Sequence, residues 1–158
     1  MAVKVFLDTS VLLSGLIDLG PQSGPAQSLM HAVAERQLPA PLTAWHCCLE
    51  FYSVATRLPP EYRLTPGDAV LLLTEEVFAR MTVHDLSAED RLPMLRTVSK
   101  DGIAGGRIYD SHIAEVARTA GAAVVVTDNR RHFVSALRYE MRVETAAEFL
   151  AGLKSGAR

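Results

Sequence analysis

The sequence predicts an α/β fold in which a mainly parallel sheet is covered by helices on both faces. Three observations carry this. Residues 3–7 and 123–126 are short, nearly all-apolar runs with β-branched side chains, the pattern of strands buried on both faces. Segments with helical apolar spacing alternate with the strand candidates, as in βαβ units. At 158 residues the chain is long enough for one domain with a real core and too short for two comfortable ones.

The first run stops at Asp8. Thr9 and Ser10 then offer N-cap hydroxyls to a helix through Val11, Leu12, Leu13, Leu16 and Ile17. After a turn at 20–25, a helix over 26–37 has Pro25 suited to its first turn and a stripe of Ala26, Leu29 and Val33. The prolines of 39–43 make that segment a weak strand, at a strand start or a sheet edge. Thr43 is placed to cap a helix over 44–58 whose core stripe is Ala44, Cys47, Cys48, Phe51, Ala55 and Leu58, with Pro59 and Pro60 ending it. Thr65, Pro66 and Asp68 mark another helix start. A strand over 81–86 follows, and Ser87 opens a helix to about residue 99, with Pro93 near its first turn. A glycine-rich connection at 101–106 leads to a helix over 107–119 that stops at Gly121. Residues 123–127 form the clearest buried strand, 128–137 a loop and short helix, and 139–143 a last strand; Thr145 caps a helix over 146–153, and 154–158 fray.

The chain is 49% hydrophobic and 22% charged with net charge −2, ordinary for a globular protein and without the basic signature of a nucleic-acid binder. A nucleic-acid site must therefore be a local patch or a metal site. Cys47 and Cys48 are adjacent and make no disulfide framework, which points to the reducing cytoplasm. No secretory leader pattern and no apolar run of the ~20 residues that span a bilayer is visible, so neither secretion nor membrane insertion is expected.

Two acids, Asp8 and Asp128, directly follow strand candidates. Parallel strands point one way, so both acids belong to one edge of the sheet, where open α/β sheets place ligand crevices. Asp8 as a mere N-cap is the bland alternative. Asp110 lies on the apolar face of its helix, with Ile113, Ala114 and Ala117 at three, four and seven residues' spacing. First-turn dipole compensation explains its position along the helix but not its inward face; an inward carboxylate needs a cation or donors. Glu50 sits at the margin of its stripe and by itself reads as a surface residue. Glu35, Glu61, Glu75, Glu76, Glu89, Glu115, Glu140, Glu144 and Glu148 read as solvated. Several carboxylates in one crevice stay ionised together only around a divalent cation. Oxygen-only donors suit Mg²⁺ or Mn²⁺, and such a site suits phosphodiester hydrolysis.

The stretches Val5-Phe6-Leu7-Asp8-Thr9-Ser10-Val11, Glu50-Phe51-Tyr52-Ser53-Val54, Tyr109-Asp110-Ser111-His112-Ile113-Ala114 and Val126-Thr127-Asp128-Asn129-Arg130-Arg131-His132-Phe133 together resemble the PIN-domain ribonucleases, most closely the VapC toxins of toxin–antitoxin pairs. The resemblance covers nearly the whole chain in the family's order. It implies a single PIN-like domain over 1–153 with a three-layer α/β/α sandwich, and Mg²⁺- or Mn²⁺-dependent cleavage of single-stranded RNA. It further implies a homodimer and a cognate antitoxin. Carried over residue by residue, Asp8, Glu50 and Asp110 match the metal-site acids. Thr9 or Ser10 would order Asp8, and Thr127 matches the supporting hydroxyl. The fourth position falls on Asp128 or on Asn129, since the family's acid often stands where Asn129 is. Arg107, Arg130, Arg131 and His132 flank two of the acids and could hold phosphate oxygens, although solvated charge is the ordinary reading of each.

The competing readings are a PIN-like RNA-binding or regulatory module with impaired catalysis, favoured by Asn129, and a phosphoryl-transfer protein with Asp8 as nucleophile. Against the latter, Ser10 stands where haloacid-dehalogenase-like phosphatases carry a second aspartate. No G-x-G-x-x-G follows the first strand and no serine sits in G-x-S-x-G, so dinucleotide and α/β-hydrolase chemistry lack support. His46-Cys47-Cys48 lacks a second ligand pair for a soft metal, and core packing is expected of the cysteines and, in part, of Trp45.

Overall fold

The computed structural model describes residues 3–133, 136 and 139–156; the end of the short helix expected at 128–137 lies outside the described residues. Five strands, β1 (Val5–Leu7), β2 (Pro41–Ala44), β3 (Thr82–His84), β4 (Val124–Val126) and β5 (Arg142–Glu144), form one sheet in the order β3-β2-β1-β4-β5. Every pairing is parallel. The helices are α1 (Thr9–Leu16), α2 (Gly24–Ala34), α3 (Trp45–Ala55), α4 (Pro66–Leu72), α5 (Ala88–Lys100), α6 (Arg107–Thr119) and α7 (Ala146–Lys154). Among the described residues no helix is long and apolar enough to cross a membrane.

The two central strands are the two runs legible in the sequence. Val5, Phe6 and Leu7 and Val124, Val125 and Val126 are all buried, and they pair in register. Burial on both faces leaves no room for polar alternation, which explains the continuous apolar runs. Pro41 is the first residue of β2, where its missing N–H costs no ladder bond. The strand itself is interior, between β1 and β3, so the edge alternative for this segment does not hold. Gly15 is required by the packing of α1 on α2: a Cβ there would stand 2.4 Å from a Met30 carbon and 2.9 Å from the Ala26 carbonyl oxygen. Gly121 follows α6 with φ +80°, and its neighbour's amide, Ala122 N–H, reaches back to the Ala117 carbonyl, the left-handed stop read from the sequence.

Several local expectations are corrected. Thr43 does not cap α3; its hydroxyl donates to the Leu7 carbonyl across the sheet at 2.8 Å. That bond is available because Thr43 is still in β2 and fully buried beside β1. Pro93 lies inside α5 rather than in its first turn. The helix begun at Pro66 loosens to π-type turns over Leu73–Phe78. Trp45 is exposed at the start of α3, with its ring edge-on to Phe78. Glu115 and Glu144 are not solvated: their side chains are only 14% and 15% exposed, each facing an arginine, Arg118 and Arg142.

The strand order reverses direction between β1 and β4: the chain steps from β1 through β2 to β3 on one side and from β4 to β5 on the other. The loops leaving β1 and β4 therefore part at this point and leave a crevice at the C-terminal edge of the sheet.

Candidate active site

Asp8 leaves β1 at this crevice and is 5% exposed. It occupies the N-cap position of α1, but its side chain makes no capping bond. Instead Oδ2 accepts hydrogen bonds from Thr127 Oγ1 at 2.8 Å and Ser10 Oγ at 3.0 Å. The expected capping roles of Thr9 and Ser10 are thus replaced by roles in the crevice. Ser10 Oγ also accepts from the Asp128 amide at 3.0 Å, and Thr127 Oγ1 from the Asn129 amide at 3.0 Å. These bonds tie the loop after β4 to the start of α1 and hold the Asp8 carboxyl in one orientation. Burial pushes the Asp8 carboxyl above its ordinary range; the Thr127 and Ser10 hydroxyls and the Thr9 backbone pull it down, and Glu50 pushes it up again.

Glu50 projects from α3 and Asp110 from the first turn of α6. With Asp8 they line one cleft of about 280 Å³, together with Asn129 and His132. Thr9 Oγ1 donates to Glu50 Oε1 at 3.4 Å, and His46 Nε2, one helical turn back on α3, lies 3.1 Å from the same oxygen. Both described contacts of Glu50 therefore fall on Oε1. His46 in turn faces His112 of α6, with their Nδ1 atoms 2.8 Å apart, and His112 Nε2 lies 3.8 Å from Asp85 Oδ1. Asp110 Oδ2 is 3.7 Å from His132 Nδ1. Desolvation pushes the Asp110 carboxyl up, His132 lowers it and Glu50 raises it. Glu50 thus acts electrostatically on both aspartates.

Of the other sequence-derived candidates, Asn129 lines the cleft and Asp128 does not; Asp128 contributes through its backbone amide. Arg107, Arg130 and Arg131 are exposed outside the cleft, and Arg130 pairs with Glu148. His46 and His112 went unread as site residues. The four-residue spacing from His46 to Glu50, one helical turn, was the available signal; nothing in the sequence signals the contact with His112, 66 residues away.

Residues 4–131 match the family model described as the PIN domain. The chain belongs to the PIN-domain family. This PIN domain is 39% identical over 85 residues to ribonuclease VapC27 of Mycobacterium tuberculosis, a match covering 54% of the chain and 60% of that relative. Its fold is similar to that of PAE2754 from Pyrobaculum aerophilum, with TM-score 0.62, 19% identity and 98% of each chain covered. It is likewise similar to VapBC2 from Rickettsia felis bound to a DNA fragment from their promoter, with TM-score 0.60, 14% identity, and 90% of this chain and 98% of that one covered.

PIN-domain ribonucleases generally need divalent metals. The donor chemistry of this PIN domain fits one: three carboxylates from three separate elements and an amide oxygen from Asn129, all of the hard type that Mg²⁺ and Mn²⁺ take. Burial raises both the Asp8 and the Asp110 carboxyls, and the Glu50 charge adds a smaller push to each. Among the described residues no three His, Cys, Asp or Glu side chains stand close enough to form a ready cage. Glu50 and Asp110 are instead turned to His46 and His132.

Proposed function

We propose that this chain is a divalent-metal-dependent endoribonuclease that hydrolyses phosphodiester bonds of single-stranded RNA, as the toxin of a toxin–antitoxin pair. The observation that carries the reading is the meeting of Asp8, Glu50 and Asp110 in one cleft at the switch point of a parallel sheet. The likeness to ribonuclease VapC27 supports RNA as substrate, and the likeness to VapBC2 supports an antitoxin partner. A homodimer and a cytoplasmic setting belong to the same reading.

Asp8, Glu50 and Asp110 would hold the ion, Mg²⁺ or Mn²⁺, with Asn129 rather than Asp128 as the fourth donor. When bound, the ion activates water and stabilises charge on the oxygens of the scissile phosphodiester. Thr127 and Ser10 orient the Asp8 carboxylate, so this acid needs no rearrangement to serve. Thr9 holds Glu50 from the other side of the cleft. Arg107 and Arg131, exposed outside the cleft, would take backbone phosphates, which position a strand without reading its sequence. The test is cleavage of a single-stranded RNA by the purified chain with Mn²⁺, with chelator, and in Asp8→Asn and Asp110→Asn. Metal-dependent cleavage lost in both variants is the expected result; cleavage that survives both substitutions contradicts the assignment. The engagement of Glu50 and Asp110 with histidines favours one alternative, an RNA-binding module with impaired catalysis. RNA binding without Mn²⁺ binding or cleavage would establish it.

A further inference from the structure

Glu50 stands at the exposed rim of the cleft. It projects from the second turn of α3, and its side chain is 41% exposed. A carboxylate in that setting samples several rotamers unless donors hold it. The Thr9 hydroxyl donates to Oε1 at 3.4 Å, and His46 Nε2 lies 3.1 Å from the same oxygen, the closer of the two.

The His46 ring is itself constrained. Glu50 as a carboxylate only accepts, so Nε2 of His46 can hold it only with the hydrogen on that nitrogen. The facing Nδ1 atoms of His46 and His112 are 2.8 Å apart, which requires one of them to donate and the other to accept. A neutral His46 with its hydrogen on Nε2, towards Glu50, accepts at Nδ1 from His112 Nδ1–H. The ring sits at 16% exposure, tilted against both Tyr109 and His112, so its plane is set from α6. The row Glu50–His46–His112 thus crosses from α3 to α6, the helix that also carries Asp110.

We propose, resting on the reading of Glu50 as an ion-holding acid, that His46 is the positioning residue for Glu50 and that His112, locked to it through the facing Nδ1 atoms, fixes the ring. The device joins the two helices that bring Glu50 and Asp110 to the cleft. It leaves Oε2 of Glu50 without a protein donor among the described residues. Outer partners of metal-holding carboxylates act in this way, and their removal weakens metal binding by ~10–100-fold.

The test uses the full chain and Mn²⁺ alone. Calorimetric titration of His46→Ala and His112→Ala should show Mn²⁺ affinity reduced at least ~10-fold. His46→Gln and His112→Asn should recover most of it. A glutamine amide can donate from the place of Nε2, and an asparagine amide can donate or accept at the place of Nδ1. Thermal unfolding of each variant separates a lost fold from a lost contact. Unchanged Mn²⁺ affinity in both folded alanine variants overturns the proposal. If the wild-type chain binds no Mn²⁺, the metal reading fails by itself. Long-range ¹H–¹⁵N spectra of the metal-free chain then decide the positioning. A single His46 tautomer protonated on Nε2, released to a mixture in His112→Ala, is expected; a tautomer mixture in the wild type contradicts it.

Discussion

Asp8 and Asp110 carry the same carboxyl into the same cleft and are held in opposite ways. Asp8 is buried at the end of a central strand, and two hydroxyls from two different segments fix one of its oxygens. Asp110 stands on a helix at the rim, its side chain 36% exposed, with a histidine 3.7 Å away as its nearest charged partner. The floor of the cleft is built by the sheet; the rim is built by side chains of α3, α6 and the loop after β4. On the proposed reading, Asp8 would offer an ion a fixed ligand, and Asp110 would turn to it from His132 while Glu50 keeps its contact with His46.

The sharpest way to break this contrast is to neutralise each acid. Asp8→Asn and Asp110→Asn should each reduce RNA cleavage by more than the ~10–100-fold that loss of an outer-shell partner costs, measured by initial rates under saturating Mn²⁺. Equal loss from floor and rim would mean that both acids hold the ion. Loss from Asp8 alone would restrict it to the floor.

The second contrast is in stability. Thr127→Val removes a buried hydroxyl that donates to Asp8 and accepts from the Asn129 amide, so it should destabilise the chain by about 1–3 kcal/mol in urea unfolding. His132→Ala, at the exposed rim, should stay within about 0.5 kcal/mol of wild type.

A third, smaller effect concerns pH. The folded state raises the Asp8 pKa through burial, so it keeps a proton that the unfolded chain has already lost. Metal-free stability should therefore fall as pH rises from the ordinary carboxylate value through the raised one. Asp8→Asn removes the Asp8 share of this dependence, and its melting temperature should exceed that of the wild type above that window and approach it below. With Mn²⁺ the ordering should reverse, because the ion binds only the ionised acid.

The smallest effect is an absence of reaction away from the cleft. Burial pushes the Cys47 thiol up to about 12, with Asp8 adding to the shift, and the Cys48 thiol up to about 11. Neither should react with an aromatic disulfide reagent at neutral pH until the chain is unfolded.

The floor was legible in the sequence and much of the rim was not. Asp8 and Asp128 follow the two most apolar strand runs, whose parallel C-terminal ends share one edge; Asp8 reaches the cleft there, whereas its neighbour Asn129 rather than Asp128 lines it. The helical spacing of Asp110 against Ile113 and Ala114 pointed it inward for the same kind of reason. Local pattern could not show which partners Glu50 takes, since they depend on how α3 packs against α6 and on the loop carrying Thr9. Thr43 was misread because a hydroxyl before a helix resembles a cap, while the neighbouring strand offered it a closer acceptor. The partial burial expected of Trp45 fails because it begins α3 on the outward side of a stripe that Cys47, Cys48 and Phe51 already fill.

The most direct measurement is a crystal structure of the chain soaked in Mn²⁺, read by anomalous scattering. One ion or more between Asp8, Glu50 and Asp110, with Asp110 drawn away from His132 and Asp8 unmoved, is the predicted result. A cleft that takes up no ion while Asp110 stays on His132 would contradict a metal-dependent nuclease.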